Sequence, residues 1–225
     1  MIKRIILGII LLVSLSSRLA QSQGTTTYLS NLGGLPGGSL AVGSDSWVGN
    51  EFTVGTNPGG YLLNSVQLGM ASASGNPGGF TATLDAAWTG PVHGGNGGQN
   101  LIIPLTGSAD PAAAGIYTYT PPANLTLTQN YLYGIVVTAG TPVANGSYQW
   151  LEAVGGLRLS NGWNSAYVLS ESTDGLSWNP TFPGSIYPEF AINATAVPEP
   201  AGWGLFGMGI VIAGGWRKIS LRTRI

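Results

Sequence analysis

The sequence contains no cysteine. Disulfides, thiolate metal sites and a cysteine nucleophile are therefore excluded. It has one histidine, His93, inside the glycine-rich stretch PVHGGNGGQN (91–100). A working histidine needs an orienting carboxylate or fellow metal ligands, and a glycine-rich loop is a poor platform for either. His93 reads as an exposed turn residue. The GxSxG signature of serine hydrolases is absent too. Charge is equally scarce, at 8% of residues against roughly 25% in ordinary soluble domains. The basic residues sit at the ends: Lys3, Arg4 and Arg18 at one, Arg217, Lys218, Arg222 and Arg224 at the other. Only Arg158 lies between. From Gln23 to Ala196 eight acidic residues accompany that one base, a formal charge of −7. Such a surface repels phosphate backbones, which excludes nucleic acid as a partner and disfavours anionic polymers.

What the chain does have is glycine, 36 residues of it, with 7 Trp, 9 Tyr and many Val, Ile, Leu and Thr in short runs. Between Thr25 and Ala196 no long amphipathic helical pattern is found. Short β-prone runs recur instead, bounded by turn clusters. They are SWVGNEFTVG (46–55), YLLNSVQLGMA (61–71), FTATLDAAW (80–88), LIIPL (101–105), GIYTYT (115–120), LTLTQNYLYGIVVTA (125–139), GSYQWLEAV (146–154) and SIYPEFAINAT (185–195). Leu62, Val66 and Leu68 share one parity, with Asn64 the polar exception, and Tyr131, Tyr133, Ile135 and Val137 share another. NPGG occurs at 57–60 and 76–79, where Pro fixes φ and Gly permits positive φ, so both copies are expected to be turns. The expectation is an all-β domain, an antiparallel β-sandwich of jelly-roll type.

The two ends carry different information. Residues 1–22 begin with Lys3 and Arg4, run apolar from Ile5 to Leu15, and end in Ala20-Gln21-Ser22. The apolar run is too short to span a bilayer and matches the core of a secretory signal peptide; an uncleaved anchor is the alternative. At the other end, Val197-Pro198-Glu199-Pro200 precedes an uncharged apolar stretch, Ala201 to Trp216. As a helix this stretch is roughly 24 Å long, marginal for a hydrocarbon core of about 30 Å. Ile219 and Leu221 extend it, and the basic tail holds the C-terminus on the cytoplasmic side. A C-terminal transmembrane helix is expected, with the acidic body facing outward.

The order of VPEP, short apolar helix and basic terminus resembles the PEP-CTERM sorting signal of exported bacterial proteins. The resemblance implies an exosortase as processing partner, a temporary membrane anchor, and a mature protein at the cell surface or in the extracellular matrix. It divides the chain into a signal peptide (1–22), an extracytoplasmic body (23–196) and a sorting signal (197–225). The body is similar to the choice-of-anchor domains that accompany such signals, type R among them. That similarity rests on SLAVGSDSWVGNEFTVGTNPGGYLLNSVQLGMASASGNPGGFTATL (39–84), GIYTYTPPANLTLTQNYLYGIVVTA (115–139) and GSYQW (146–150), and spans roughly residues 30 to 195. It implies no catalytic activity.

Candidate chemistry is thin. Glu51, Asp85, Glu152 and Glu189 lie in or beside β-prone runs, and two facing one cleft would suit a glycosidase; isolated acids on solvent-facing strand positions are the plainer expectation. Asp45, Asp110 and Asp174 lie in turns, where Asp serves as a turn former as readily as a calcium ligand. Trp47 and Trp150 alternate as core residues do. The segment LRLSNGWNSAYVLSESTDGLSWNPTF (157–182) mixes aromatic, amide and hydroxyl side chains like a sugar-binding surface, with Trp163, Tyr167 and Trp178 as stacking candidates; Trp163 and Trp178 fit a core equally. No cofactor, metal or catalytic residue is expected. The reading is an exported surface or matrix protein with a structural or adhesive role, associated with exopolysaccharide. The alternative is a polysaccharide-acting hydrolase or a carbohydrate-binding module.

Overall fold

The computed structural model describes residues 24–86, 101–107, 109–181 and 186–199. The signal peptide, His93 with its glycine-rich loop, Trp88, Pro200, the apolar helix and the basic tail lie outside the described residues. The chain divides into two units, and Gly24–Val197 is the one that carries the fold.

The body is all-β. Its strands are β1 (Thr26–Ser30), β2 (Leu35–Val42), β3 (Trp47–Thr53), β4 (Tyr61–Gly75), β5 (Thr81–Ala86), β6 (Leu101–Gly107), β7 (Gly115–Thr120) and β8 (Thr126–Leu127). They continue as β9 (Leu132–Thr138), β10 (Gly146–Val154), β11 (Arg158–Leu159), β12 (Asn164–Ser172), β13 (Asn179–Thr181), β14 (Ile186–Pro188) and β15 (Phe190–Ala196). The helical content of the described residues is one 3-10 turn, Val143–Asn145. Among the described residues no helix is long and apolar enough to cross a membrane.

All named pairings are antiparallel and join into one curled sheet with two wings. In one wing β4 is the spine: β15 and then β10 line one edge, β8 and β7 the other. Beyond β15 lie β1 and β11, and β10 also pairs β2 and β14. The other wing runs β6-β5-β9-β3-β12-β13. Strand β6 joins the wings by pairing with both β5 and β7.

One continuous apolar core draws on both wings, including Leu29, Leu63, Val66, Leu68, Met70 and Trp150 from the first and Val48, Phe52, Leu84, Ile135 and Val137 from the second. Four aromatic rings form a column through it. Tyr28 stacks on Trp163 at 5.2 Å, Trp163 on Phe52 at 5.9 Å, and Phe52 on Tyr133 at 5.9 Å. Such offset stacks add to the burial each ring already contributes.

Tyr133, Ile135 and Val137 are buried on one face of β9, as their parity predicts, while Tyr131 lies before the strand and is exposed; Val136 on the other face is buried as well. The parity of β4 holds at Val66 and Leu68 and fails at Leu62. Tyr61 and Leu63 are buried, then Val66, Leu68 and Met70, while Leu62 is only half-buried. The cause is a β-bulge: Ser65 pairs Asn193 but Leu63 pairs Ala194, leaving Asn64 as the extra residue. One unpaired residue switches the face of everything beyond it. Asn64 donates its amide to the hydroxyls of Thr25, just before β1, and Thr195 of β15.

The first NPGG makes the expected turn between β3 and β4. The Gly60 N–H donates to the Asn57 carbonyl at 2.9 Å, and the Asn57 side chain donates to the Gly60 carbonyl at 2.6 Å. The second NPGG joins β4 to β5 by another route, with Gly79 at positive φ and the Gly140 N–H donating to the Gly78 carbonyl.

Candidate functional site

The aromatic segment 157–182 begins with a turn that hangs Trp163 in the core. Gly155 and Gly156, at positive φ, lead the chain out of β10. Arg158 and Leu159 then pair with Ser30 and Leu29 of β1. Asn161 (φ 52°) and Gly162 (φ 76°) return the chain, and the Trp163 N–H closes that turn on the Ser160 carbonyl at 3.1 Å. Positive φ at both central residues is the type I′ geometry that Asn-Gly favours.

Trp163 therefore points inward. It is 2% exposed, with Tyr28 and Phe52 against its faces and Tyr61 edge-on at 5.1 Å. No face remains for a sugar, so Trp163 is a core residue and not a stacking platform. Trp178 is half-buried and donates its indole N–H to the Gly175 carbonyl at 3.2 Å. The side chain of Tyr167 lies outside the described residues. The three aromatic residues do not form a described surface together.

Strand β1 carries a second bulge. Thr27 pairs Asn193 and Leu29 pairs Ile192, leaving Tyr28 unpaired with β15. Its freed carbonyl accepts the Ser160 N–H at 3.0 Å and the Ser160 hydroxyl at 3.3 Å. Between bulge and turn lies a groove of about 400 Å³ lined by Thr27, Tyr28, Ser30, Leu32, Arg158, Leu159 and Ser160. Tyr28 is 4% exposed and rests on Trp163, whereas Arg158 and Leu159 are exposed. The body's one basic residue thus stands at this groove.

The acids depart from the expectation of solvent-facing positions. Glu51 is fully buried, Asp85 is 6% exposed and Glu189 8%. Glu51 and Asp85 both register with Gly134 of β9, from opposite sides, and so share one row on the face of the sheet away from the aromatic column. Their Cα atoms are about 10 Å apart by strand spacing. Burial pushes the Asp85 carboxyl up to about 6, partly offset by the Thr83 hydroxyl at 2.9 Å. In Glu152 desolvation, then the charge of Glu171, raises the carboxyl pKa. Glu189 packs on Gly69, and its main-chain carbonyl accepts the Trp150 indole N–H at 2.8 Å.

The turn aspartates build turns. Asp174 accepts the Ser177 and Leu176 N–H groups at 2.8 Å each, and these donors with Ser172 hold its carboxyl below the ordinary value. Asp45 accepts the Val143 N–H, and Asp110 the Tyr148 hydroxyl. Among the described residues no group of three or more His, Cys, Asp or Glu is placed to hold a metal.

No protein-family model matches the chain, and the search of curated proteins finds no match. No enzyme family and no catalytic group among the described residues is evident.

The groove escaped the sequence reading. Its signals were Arg158 as the sole internal cation and the Asn161-Gly162 turn beside it; the bulge at Tyr28 has no signature in a single strand of sequence.

Proposed function

We propose that this chain is an exported protein, sorted by an exosortase through residues 197–225, whose β-body serves a structural or adhesive role at the cell surface or in an exopolysaccharide matrix. The observation that carries the reading is where the fold stops. Strand β15 ends at Ala196, and Val197 makes the last hydrogen bonds of the body among the described residues: its N–H donates to the Gly60 carbonyl at 3.0 Å, and its carbonyl accepts the Asn57 amide at 2.9 Å. Pro198 follows immediately. Among the described residues a cut beyond Val197 removes no hydrogen bond of the body, as a removable address requires.

In the same proposal the curled sheet is a sandwich of jelly-roll kind, its wings packed through the aromatic column. The N-terminal segment is a signal peptide, and Ala201 to Trp216 spans the membrane before processing, with Arg217, Lys218, Arg222 and Arg224 on the cytoplasmic side.

Intact-mass analysis of the protein from native envelopes tests the reading. The expected mature species begins near Gln23 and ends within Val197-Pro198-Glu199-Pro200; deletion of the exosortase restores the full C-terminus. A mature species that keeps Trp203 to Ile225 in cells with active sorting overturns it.

A further inference from the structure

The groove between β1 and β11 has the chemistry of a binding site, and it stands independently of how the chain is sorted. Its volume of about 400 Å³ lies in the range of small-ligand pockets, roughly 300–1,000 Å³, and suits about one or two sugar rings. Its walls are amphiphilic. Leu32 and the exposed Leu159 supply apolar surface, and Tyr28, whose ring is turned into the core, forms the floor. Three hydroxyls supply both polarities. Ser30 accepts the Leu32 N–H and keeps its proton to donate. Thr27 and Ser160 donate inward, to Asn193 and the Tyr28 carbonyl, and keep lone pairs free to accept. A polyhydroxylated ring with apolar faces is complementary to that set.

Arg158 decides the charge. It is exposed, forms no ion pair with the described residues, and presents a planar fork of donors that matches a carboxylate in two parallel bonds. The remaining charges of the body are acidic, so a ligand with a charge on every unit meets repulsion beyond the groove. A single acidic unit in a neutral chain does not. We infer that the groove binds a uronate residue carried on an otherwise neutral saccharide, its carboxylate on Arg158 and its hydroxyls on Thr27, Ser30 and Ser160.

The support beneath the groove fits this use. Tyr28 is fixed by the bulge and by Trp163 behind it, and the Ser160–Trp163 turn is locked by its own hydrogen bond. A preformed wall loses little freedom on binding.

The test is titration calorimetry on the full-length chain in mild detergent with four probes. They are an aldobiouronic acid (glucuronate linked to a neutral sugar), the matching neutral disaccharide, an oligogalacturonate and inorganic phosphate. Backbone and arginine side-chain NMR shifts locate any binding. The expected result is saturable binding of the aldobiouronic acid with shifts at Arg158, Thr27, Ser30 and Ser160. The neutral disaccharide and the oligogalacturonate should each bind about tenfold more weakly or worse, and so should the aldobiouronic acid to Arg158→Gln. Arg158 is exposed, so the variant should melt like the parent. No binding of the aldobiouronic acid, equal binding by the neutral sugar or by phosphate, stronger binding of the oligogalacturonate, unaltered binding by Arg158→Gln, or shifts confined to another region would each overturn the inference.

Discussion

A carboxyl buried in a sheet leaves a signature in stability against pH, and Asp85 is the residue to show it. Its pKa rises from 3.8 to about 6 on folding, chiefly through desolvation. The folded protein therefore prefers the neutral acid. Stability is greatest below about pH 4, falls as pH rises to about 6, and is level above that as far as this group is concerned. The drop is up to about 3 kcal/mol, from two pKa units at 1.36 kcal/mol each. Denaturant melts of parent and Asp85→Asn across that window check it: the variant should lose most of the slope and be the more stable protein at pH 7. A slope unchanged by the substitution would place the titration elsewhere. Trp163 carries the second expectation at this scale. Trp163→Ala removes one of the two inner rings of the aromatic column and should cost about 3–5 kcal/mol, whereas half-buried Trp178→Ala should cost no more than about 2 kcal/mol. Equal, small losses would argue that the Trp163 ring is not packed as described. The sequence around these residues showed aromatic and acidic content but not direction. Whether a side chain in LSNGW points in or out depends on which strand β11 hangs from, and Glu51 and Asp85 share a face only because Gly134 separates their strands.

Elements were legible in proportion to their regularity. Strands β3, β4, β7 and β10 lie where alternating apolar residues and turn clusters placed them, and the first NPGG is the turn its composition demands. Strand β2 was missed because Leu35-Pro-Gly-Gly (35–38) reads as a breaker. It is tolerated where the pairing is one-sided, since among the described strands β2 pairs only with β10. The face of β4 was misassigned before Asn64, at Leu62, for a reason invisible in its own residues: a bulge is a property of two strands, set by the partner's register. Gly60 is the element-scale test. It has φ 75°, and a Cβ there would stand 2.5 Å from the Leu127 carbonyl oxygen, where the β3–β4 turn meets β8. Gly60→Ala should therefore destabilise by about 2 kcal/mol or more, through left-handed strain and displaced backbone together. Gly24→Ala, with nothing within 4 Å and ordinary φ, should stay within about 0.5 kcal/mol. A Gly60→Ala protein as stable as the parent would show that the turn relaxes freely.

At the scale of the molecule the decisive fact is a boundary. The body closes on itself through its C-terminal strand, because β15 lies between β1 and β4 and pairs with both. Its last residues are joined to the β3–β4 turn at the far end of the spine: Thr195 and Ala196 register with Leu62 and Tyr61, and Val197 bonds Gly60 and Asn57. Among the described residues the hydrogen bonds of the C-terminal strand and its exit end at Val197. A chain of residues 24–197 should fold alone, show a β-rich spectrum and unfold in one cooperative transition. A chain of residues 24–194 removes two ladder positions, the Thr195 acceptor of the Asn64 amide and both bonds of Val197. It should be about 2 kcal/mol or more less stable, at roughly 1 kcal/mol for each hydrogen bond lost and not regained from water. Denaturant midpoints of the two chains, read at equal slope, measure the difference. Equal midpoints would mean that the body ends before Val197, and a separation between fold and sorting signal would then have to be drawn earlier in β15. Failure of residues 24–197 to fold would mean that the segment beyond is part of the domain, and that its removal at the membrane cannot leave an intact protein.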